Sequence, residues 1–253
     1  VDHRVDMPPL PIEDVTVVMA HNGGRLRLYA GLQTPAGSAE LNARLRGSLS
    51  GTEWQGDTYL KLERLDVARL FAAYMPARYG LHSMAVDLEA WTHWDQATPV
   101  SAQGRVALND LDLRPTAADT GALQVPHAAA GFDFRRDATG GRVGIGDLHL
   151  TVGARTWPTG NLALAWTSAP DGATQLRGAA DYLRIEDLAH ILRVRMPWPE
   201  LAGPLARFKP RGELRDLRFA ADFDDATPHW RAQAGFAALG TAACGRVPAT
   251  ANL

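Results

Sequence analysis

A segment that occurs twice is the feature of this sequence that most constrains its fold. The first copy covers 56–76 and the second covers 178–197. In each copy, apolar residues first alternate with polar ones and then recur at helical spacing, and the segment ends at Met-Pro. Proline ends a helix because it has no N–H and clashes with the preceding turn. The pattern predicts a strand followed by a short helix in both copies, with the helices over 65–75 and 186–195.

The similarity between the two copies continues beyond the helix. An Asp-x-Ala-Thr-Pro turn occupies 95–99 and recurs at 224–228, and an alternating apolar strand follows each turn. Two blocks in the same order indicate repeated units, which bury a continuous apolar face only when they lie side by side. We therefore expect one elongated body over 1–253, with internal repeats at about 54–116 and 176–244.

The apolar alternation changes phase inside three of the predicted strands. In each of the segments 105–114, 142–152 and 213–223, the apolar residues change from even to odd residue numbers, or from odd to even, partway along the strand. A slip of one residue turns the apolar set to the opposite face, unless a β-bulge absorbs the extra residue. The pattern predicts long, bulged strands, as a strongly curved sheet requires. The alternative is a pair of short strands joined by a turn at each slip.

The expected fold class is mostly β, with roughly a dozen strands in a strongly curved antiparallel sheet and two short helices. Two helices are too few to cover such a sheet, so its apolar face closes as a barrel, packs as a sandwich or remains a groove. Arg25, Arg27, Lys61 and Arg184 alternate with apolar residues and are expected to face solvent. The residues expected to face a common apolar interior are Leu60, Leu62, Met84, Val86, Leu88, Val106, Leu108, Leu148, Leu150, Leu162, Leu164, Leu183 and Ile185.

The common catalytic and cofactor motifs are absent from this sequence. The serine in Gly-Ser-Leu-Ser-Gly at 47–51 is out of place for a nucleophile elbow, and the glycine-rich segment 141–146 lies inside a strand pattern. Asp222, Asp224 and Asp225 lack the glycine and the later acidic residue of a calcium loop, so a solvated turn is expected there. We expect a protein that is not an enzyme, with no catalytic residue, no metal site and no cofactor.

Charge and cysteine content limit the possible partners and compartments. The formal net charge is −2, so the sequence predicts no nucleic-acid partner, which would require a basic face. The one cysteine, Cys244, excludes an internal disulfide, which is compatible with either the cytosol or the periplasm. No apolar run approaches the roughly 20 residues of a membrane span. Because the chain opens on Val1, we expect it to be a piece of a longer parent.

The arrangement resembles the AsmA-like, YhdP-type proteins of Gram-negative bacteria, which are repeating β-groove lipid-transfer proteins. The resemblance rests on Gly-Thr-Glu-Trp-Gln-Gly at 51–56, Tyr-Leu-Lys-Leu at 59–62, the helix ending at 75–76, the strand end at 91–94, and the second copy as far as Trp230. It extends over about residues 40 to 253. Such families have a long twisted sheet folded into a trough that is apolar inside, and they are thought to carry phospholipid between the inner and outer membranes.

The resemblance implies an open trough whose apolar residues form a lipid groove. It implies phospholipid acyl chains as partners, a periplasmic location and a parent anchored in the inner membrane that reaches both membranes through parts outside this chain. An acyl chain gains roughly 0.8 kcal/mol per buried CH₂, and its transfer needs no catalytic residue. The alternative is a non-catalytic β-barrel or β-sandwich, a structural or interaction module of a cell-envelope protein with the same apolar residues as its core.

Overall fold

The computed structural model describes residues 12–47, 53–71, 80–114, 122–169, 173–195, 209–223, 229–241 and 250–251. These residues form fourteen strands and two helices. The elements are β1 (Asp14–Asn22), β2 (Arg25–Thr34), β3 (Gly37–Arg46), β4 (Gln55–Asp66), α1 (Val67–Phe71), β5 (Leu81–Asp95), β6 (Thr98–Leu113), β7 (Leu123–Asp137), β8 (Gly140–Val152), β9 (Arg155–Thr156), β10 (Gly160–Ser168), β11 (Thr174–Arg184), α2 (Ile185–Arg195), β12 (Arg211–Phe223), β13 (His229–Thr241) and β14 (Thr250–Ala251).

All the strands belong to one antiparallel sheet. The strands follow chain order from β1 to β14, except that β9 pairs only with β8, and β10 is the next neighbour of β8. The sheet is not closed into a barrel, since β1 and β14 are its two ends. The expectation of an open, mostly β structure with two short helices is confirmed. A sheet with two unpaired ends excludes the closed-barrel alternative.

The two faces of the sheet differ in chemistry. Residues directly opposite each other in neighbouring antiparallel strands lie on the same face, so the pairing register assigns side chains to faces. One row of opposed residues crosses eleven strands from β1 to β12, and we call the face that carries this central row the apolar face. The row is Val17, Ala30, Leu41, Leu60, Ala90, Gly104, Phe132, Ile145, Leu162, Ala180 and Leu217.

The opposite face, which we call the polar face, carries the residues between these positions. Lys61, for example, lies between Glu40 of β3 and Glu89 of β5. This alternation of an apolar and a polar side along each strand follows from the two-residue period of a β-strand.

The three predicted bulges are present, and each lies at an aspartate. Asp110, Asp147 and Asp216 have φ values of 54°, 51° and 51°, and the pairing register shifts beside each of them. Aspartate tolerates this left-handed conformation because its short polar side chain can form local hydrogen bonds. A fourth bulge lies at Arg64, where φ is 48°. Bulges bend the strand and increase its twist, so they supply the predicted curvature of the sheet.

Side chains of neighbouring strands satisfy backbone amides that the bulges leave without a strand partner. The Arg64 N–H donates to Oδ1 of Asp87 at 2.8 Å, and the Asp147 N–H donates to Oδ1 of Asn161 at 3.2 Å. Both acceptors lie on the strand next to the bulge. Both bonds lie in exposed positions and give these amides a protein acceptor in place of water.

The two long margins of the sheet are built differently. At one margin, which we call the open rim, two-residue turns at 23–24, 96–97 and 138–139 join successive strands. At the other margin, the helix rim, α1 follows β4 and α2 follows β11. Both connections that contain a helix therefore fall on one side of the sheet.

Most of the fully buried side chains lie at the helix rim. Leu113, Leu123, Val125 and Val152 form one cluster at the ends of β6, β7 and β8, and Ile191 of α2 packs against it. A second cluster joins Leu70 of α1 to Ala36 and Leu65. The helices thus cover part of the apolar face only along this margin.

The helices agree with the predictions where the structure describes them. α2 begins one residue before the predicted start at 186 and ends at the predicted residue 195, whereas α1 begins at Val67 rather than 65. The remainder of the first predicted helix, both Met-Pro pairs and the second Asp-x-Ala-Thr-Pro turn lie outside the described residues. Both copies have the order strand, helix, strand, strand, and each helix contacts the strand that follows it.

Candidate functional site

The pairing register brings most of the predicted lining residues to the apolar face. Ten of them are connected to the central row by direct opposition or by two-residue steps along a strand. These are Leu60, Leu62, Val86, Leu88, Val106, Leu108, Leu148, Leu150, Leu162 and Leu164.

The other three predicted lining residues are placed differently. Met84 lies two residues before Val86 in β5, where the register shifts. Leu183 is opposite Leu214, close to the end of β11. Ile185 is not in a strand at all, because it is the first residue of α2. The second strand therefore ends one residue earlier than predicted, and Ile185 is not part of it.

The predicted lining residues are neither fully buried nor fully exposed. All thirteen are half-buried. Core residues of a closed domain are mostly buried, while a fully solvated strand face is usually polar. Half-burial of an apolar set indicates a face that is only partly covered within the described part of the chain. Such a face can accept another apolar molecule.

The apolar face continues across the sheet without a charged side chain in its two central rows. The row beside the central one crosses twelve strands. Eleven strands at a spacing of about 4.8 Å make the central row about 48 Å long. The members of the second row are Met19, Leu28, Ala43, Thr58, Thr92, Ala102, Phe134, Val143, Leu164, Gly178, Phe219 and Ala232.

Aromatic side chains line the open rim. Trp94 packs against Trp54 with ring centroids 5.4 Å apart, and its Nε1 donates to Oγ1 of Thr58 at 2.9 Å. Phe134 stacks on Trp166 with centroids 6.4 Å apart. Further along the sheet, Phe223 and Trp230 are exposed to 45% and 77%. Aromatic residues with a polar tip suit a boundary between apolar and aqueous surroundings.

A buried polar cluster at the helix rim was not anticipated from the sequence. Asp187 of α2 is fully buried and accepts hydrogen bonds from Arg155 and, at 2.9 Å, from Nε1 of Trp157. Trp157 packs edge-on against Tyr182 at 5.5 Å, and burial raises the pKa of the Tyr182 hydroxyl. Nothing in the spacing of Asp187, Trp157 and Arg155 reveals that they meet.

The cations that were expected to face solvent do so in part. Arg25 and Arg27 are exposed. Lys61 forms an ion pair with Glu63 at 2.6 Å, and this bond raises the pKa of Lys61. Arg184 departs from the expectation. Its side chain is 19% exposed, and its Nη2 lies 3.2 Å from Oε1 of Glu213 on the neighbouring strand β12.

Two further observations concern chemistry and membranes. Among the residues that the structure describes, no three His, Cys, Asp or Glu side chains are grouped closely enough to hold a metal ion. No helix in the same ranges is both long and apolar enough to cross a membrane.

Comparison with known protein families shows to which family the chain belongs. A family model described as YhdP protein matches residues 9–253, which is nearly the full length. The chain belongs to the YhdP protein family. This is a lipid-transport-related family of envelope proteins, and the match confirms the resemblance seen in the sequence. No curated protein and no solved structure matches the chain.

Proposed function

We propose that this YhdP-family chain is a lipid-binding segment of a periplasmic protein that carries phospholipid between the inner and outer membranes. The acyl chains lie along the apolar face, and the headgroups stay in water. The parent protein is anchored in the inner membrane and reaches both membranes through parts outside this chain. No chemical step is required, so we propose no enzymatic activity.

The observation that carries the proposal is the continuous, half-buried apolar face. The central row presents eleven opposed residues without a charge, so an acyl chain moving along it meets no polar interruption. Each CH₂ that leaves water against this face gains roughly 0.8 kcal/mol. A break in the row would expose the acyl chain to water at that step. For transport, the continuity of the row therefore matters more than how deeply any one of its residues is buried.

Two adjacent alanines of β7 allow a matched test. Ala130 lies on the apolar face opposite Val106, whereas Ala129 lies on the polar face between Ala107 and His149. Both are half-buried. Ala130→Asp places a carboxylate among lipid tails, which costs several kcal/mol unless the group is protonated. Ala129→Asp makes the same chemical change on the opposite side.

The measurement is mass spectrometry of phospholipid that co-purifies with each protein, combined with a thermal melt. We expect Ala130→Asp to lose most of the bound lipid while its melting temperature stays close to that of Ala129→Asp. Leu108→Asp is a second test on the same face. Equal lipid in both alanine variants at similar stability contradicts the proposal. So does a wild-type protein that carries no lipid.

A further inference from the structure

The polar face carries a cluster of arginines that the lipid-binding role does not use. Arg177 of β11 and Arg231 of β13 lie directly opposite Ala220 of β12, one on each side. Arg218 precedes Ala220 by two residues on the same strand and therefore lies on the same face. The three arginines thus surround one alanine, and all three are exposed.

The register fixes the size of this cluster. The backbones of Arg177 and Arg231 are two strand spacings apart, about 9.6 Å. Arg218 is a diagonal neighbour of both, at about 7–8 Å. Because an arginine side chain is long and Ala220 is small, three guanidinium groups can meet above the alanine. The arginines line one depression of about 630 Å³, floored by Ala163, Ala165, Ala179 and Ala220.

The depression carries an excess of positive charge, although Asp222 lies diagonal to both Arg177 and Arg231 on the same face without an ion pair to either. Arg142, which also lines it, is held by Asp133 at 3.6 Å. By contrast, Arg177, Arg218 and Arg231 have no side-chain hydrogen bond or ion pair to any residue that the structure describes. Like charges placed next to each other across strands destabilise a sheet. An anion bound among the three arginines would relieve that repulsion.

The chemistry of three converging arginines favours a phosphate group. A carboxylate accepts one bidentate guanidinium fork, whereas the several oxygens of a phosphate can accept from more than one. We infer that Arg177, Arg218 and Arg231 form a binding site for a phosphate group on the polar face. The phosphate can belong to a lipid headgroup or to a soluble phosphate. The site lies on the opposite face from the acyl-chain rows and does not depend on the proposed transport function.

Calorimetric titration of the chain with pyrophosphate tests the site, and co-sedimentation with vesicles tests the lipid source. The vesicles contain phosphatidylglycerol in phosphatidylcholine, with phosphatidylcholine alone as the control. The variant is Arg177→Gln combined with Arg218→Gln and Arg231→Gln. Each lost charge-assisted bond weakens binding by about tenfold. The matched control replaces Arg25, Arg105 and Arg135 by glutamine, which removes the same charge at separated positions of the polar face.

We expect the cluster variant to lose at least about 100-fold in affinity and the control to stay within about threefold. Pyrophosphate binding without vesicle binding assigns the site to a soluble phosphate, and vesicle binding assigns it to a headgroup. Equal losses in the two triple variants would show a general charge effect and overturn the site. Failure of the wild type to bind either probe also overturns it.

A second variant covers the case in which the triple variant does not fold. Ala220→Glu places a tethered carboxylate at the centre of the three arginines. We expect it to raise the melting temperature and to abolish phosphate binding, because the carboxylate occupies the site. Unchanged phosphate affinity in Ala220→Glu contradicts the proposed position of the site.

Discussion

The helix rim and the open rim belong to the same strands, yet they differ in what they bury. At the helix rim, Leu113 and Leu123 are each 3% exposed under α2. At the open rim, Trp230 is 77% exposed. The difference follows from the connections, because the long segments that include α1 and α2 all leave the sheet on one side.

The comparison teaches that stability and ligand access are separated in this sheet. Buried apolar contacts and the Asp187 cluster hold the helix rim together, as in an ordinary core. The open rim exposes aromatic side chains beside the apolar rows, so that a lipid could enter there without displacing packed structure. Substitutions at the two margins should therefore affect different measurements.

The largest expected effect is loss of stability at the helix rim. Leu113→Ala leaves a cavity in the buried cluster and should lower the free energy of unfolding by about 3 kcal/mol, measured by urea denaturation. The matched control is Leu164→Ala on the half-buried part of the apolar face, where a loss of about 1 kcal/mol is expected. Equal losses would remove the distinction between a packed margin and an open face.

A somewhat smaller effect is expected from the buried carboxylate of α2. Asp187→Ala leaves the Trp157 indole N–H without its acceptor and should cost about 2 kcal/mol of unfolding free energy. Arg155 is half exposed, so its charge can return to water. Combining Asp187→Ala with Trp157→Phe removes the stranded donor and should restore part of the loss. The contrary result is additivity, in which the double variant loses the sum of the unfolding free energies lost by Asp187→Ala and by Trp157→Phe. Additivity would contradict the hydrogen bond between Asp187 and Trp157.

At the open rim, Trp230→Ala should change the unfolding free energy by less than about 0.5 kcal/mol, because the side chain packs against little. The amount of co-purified lipid should fall, since the aromatic edge of the apolar face is lost. Trp157→Phe at the helix rim serves as the comparison, with unchanged lipid expected. A large drop in the melting temperature of Trp230→Ala would show that this margin is packed.

The smallest effect concerns pH and the ion pairs beside α2. A hydrogen bond from Arg215, with a further one from Arg184, lowers the pKa of Glu213. The carboxylate therefore contributes stability above its unfolded pKa of about 4.3, and this contribution is lost as the pH falls through the lower folded value. Glu213→Gln should flatten the pH dependence of the melting temperature below about pH 4.3. If the melting temperature of Glu213→Gln depends on acid pH as in the wild type, groups other than Glu213 are responsible for that dependence.

The sequence predicted the elements and the bulges because both leave local signals. The change of apolar parity around Asp110, Asp147 and Asp216 is visible within ten residues of each bulge. The start of α2 is marked by Glu186 and Asp187, whose charges favour the first turn of a helix. Local signals of this kind do not depend on knowing which strands are neighbours.

The contacts that depend on register could not be read from the sequence. Arg177 and Arg231 lie far apart in the chain and become neighbours of Ala220 only through the pairing of β11, β12 and β13. Asp187 likewise meets Trp157 because α2 folds back over the strands that precede it. A shift of one residue in the register of β11 or β13 against β12 would turn Arg177 or Arg231 to the opposite face of the sheet.

The central claim is that lipid tails lie on one face of this sheet. It is tested most directly by a photo-crosslinking residue placed in turn at Leu60, Lys61, Leu162 and Ala107. Leu60 and Leu162 belong to the central apolar row, and Lys61 and Ala107 lie on the polar face, away from the arginine cluster. The predicted result is crosslinked phospholipid at Leu60 and Leu162 and none at Lys61 and Ala107. Equal crosslinking on both faces, or none at Leu60 and Leu162, would contradict the claim.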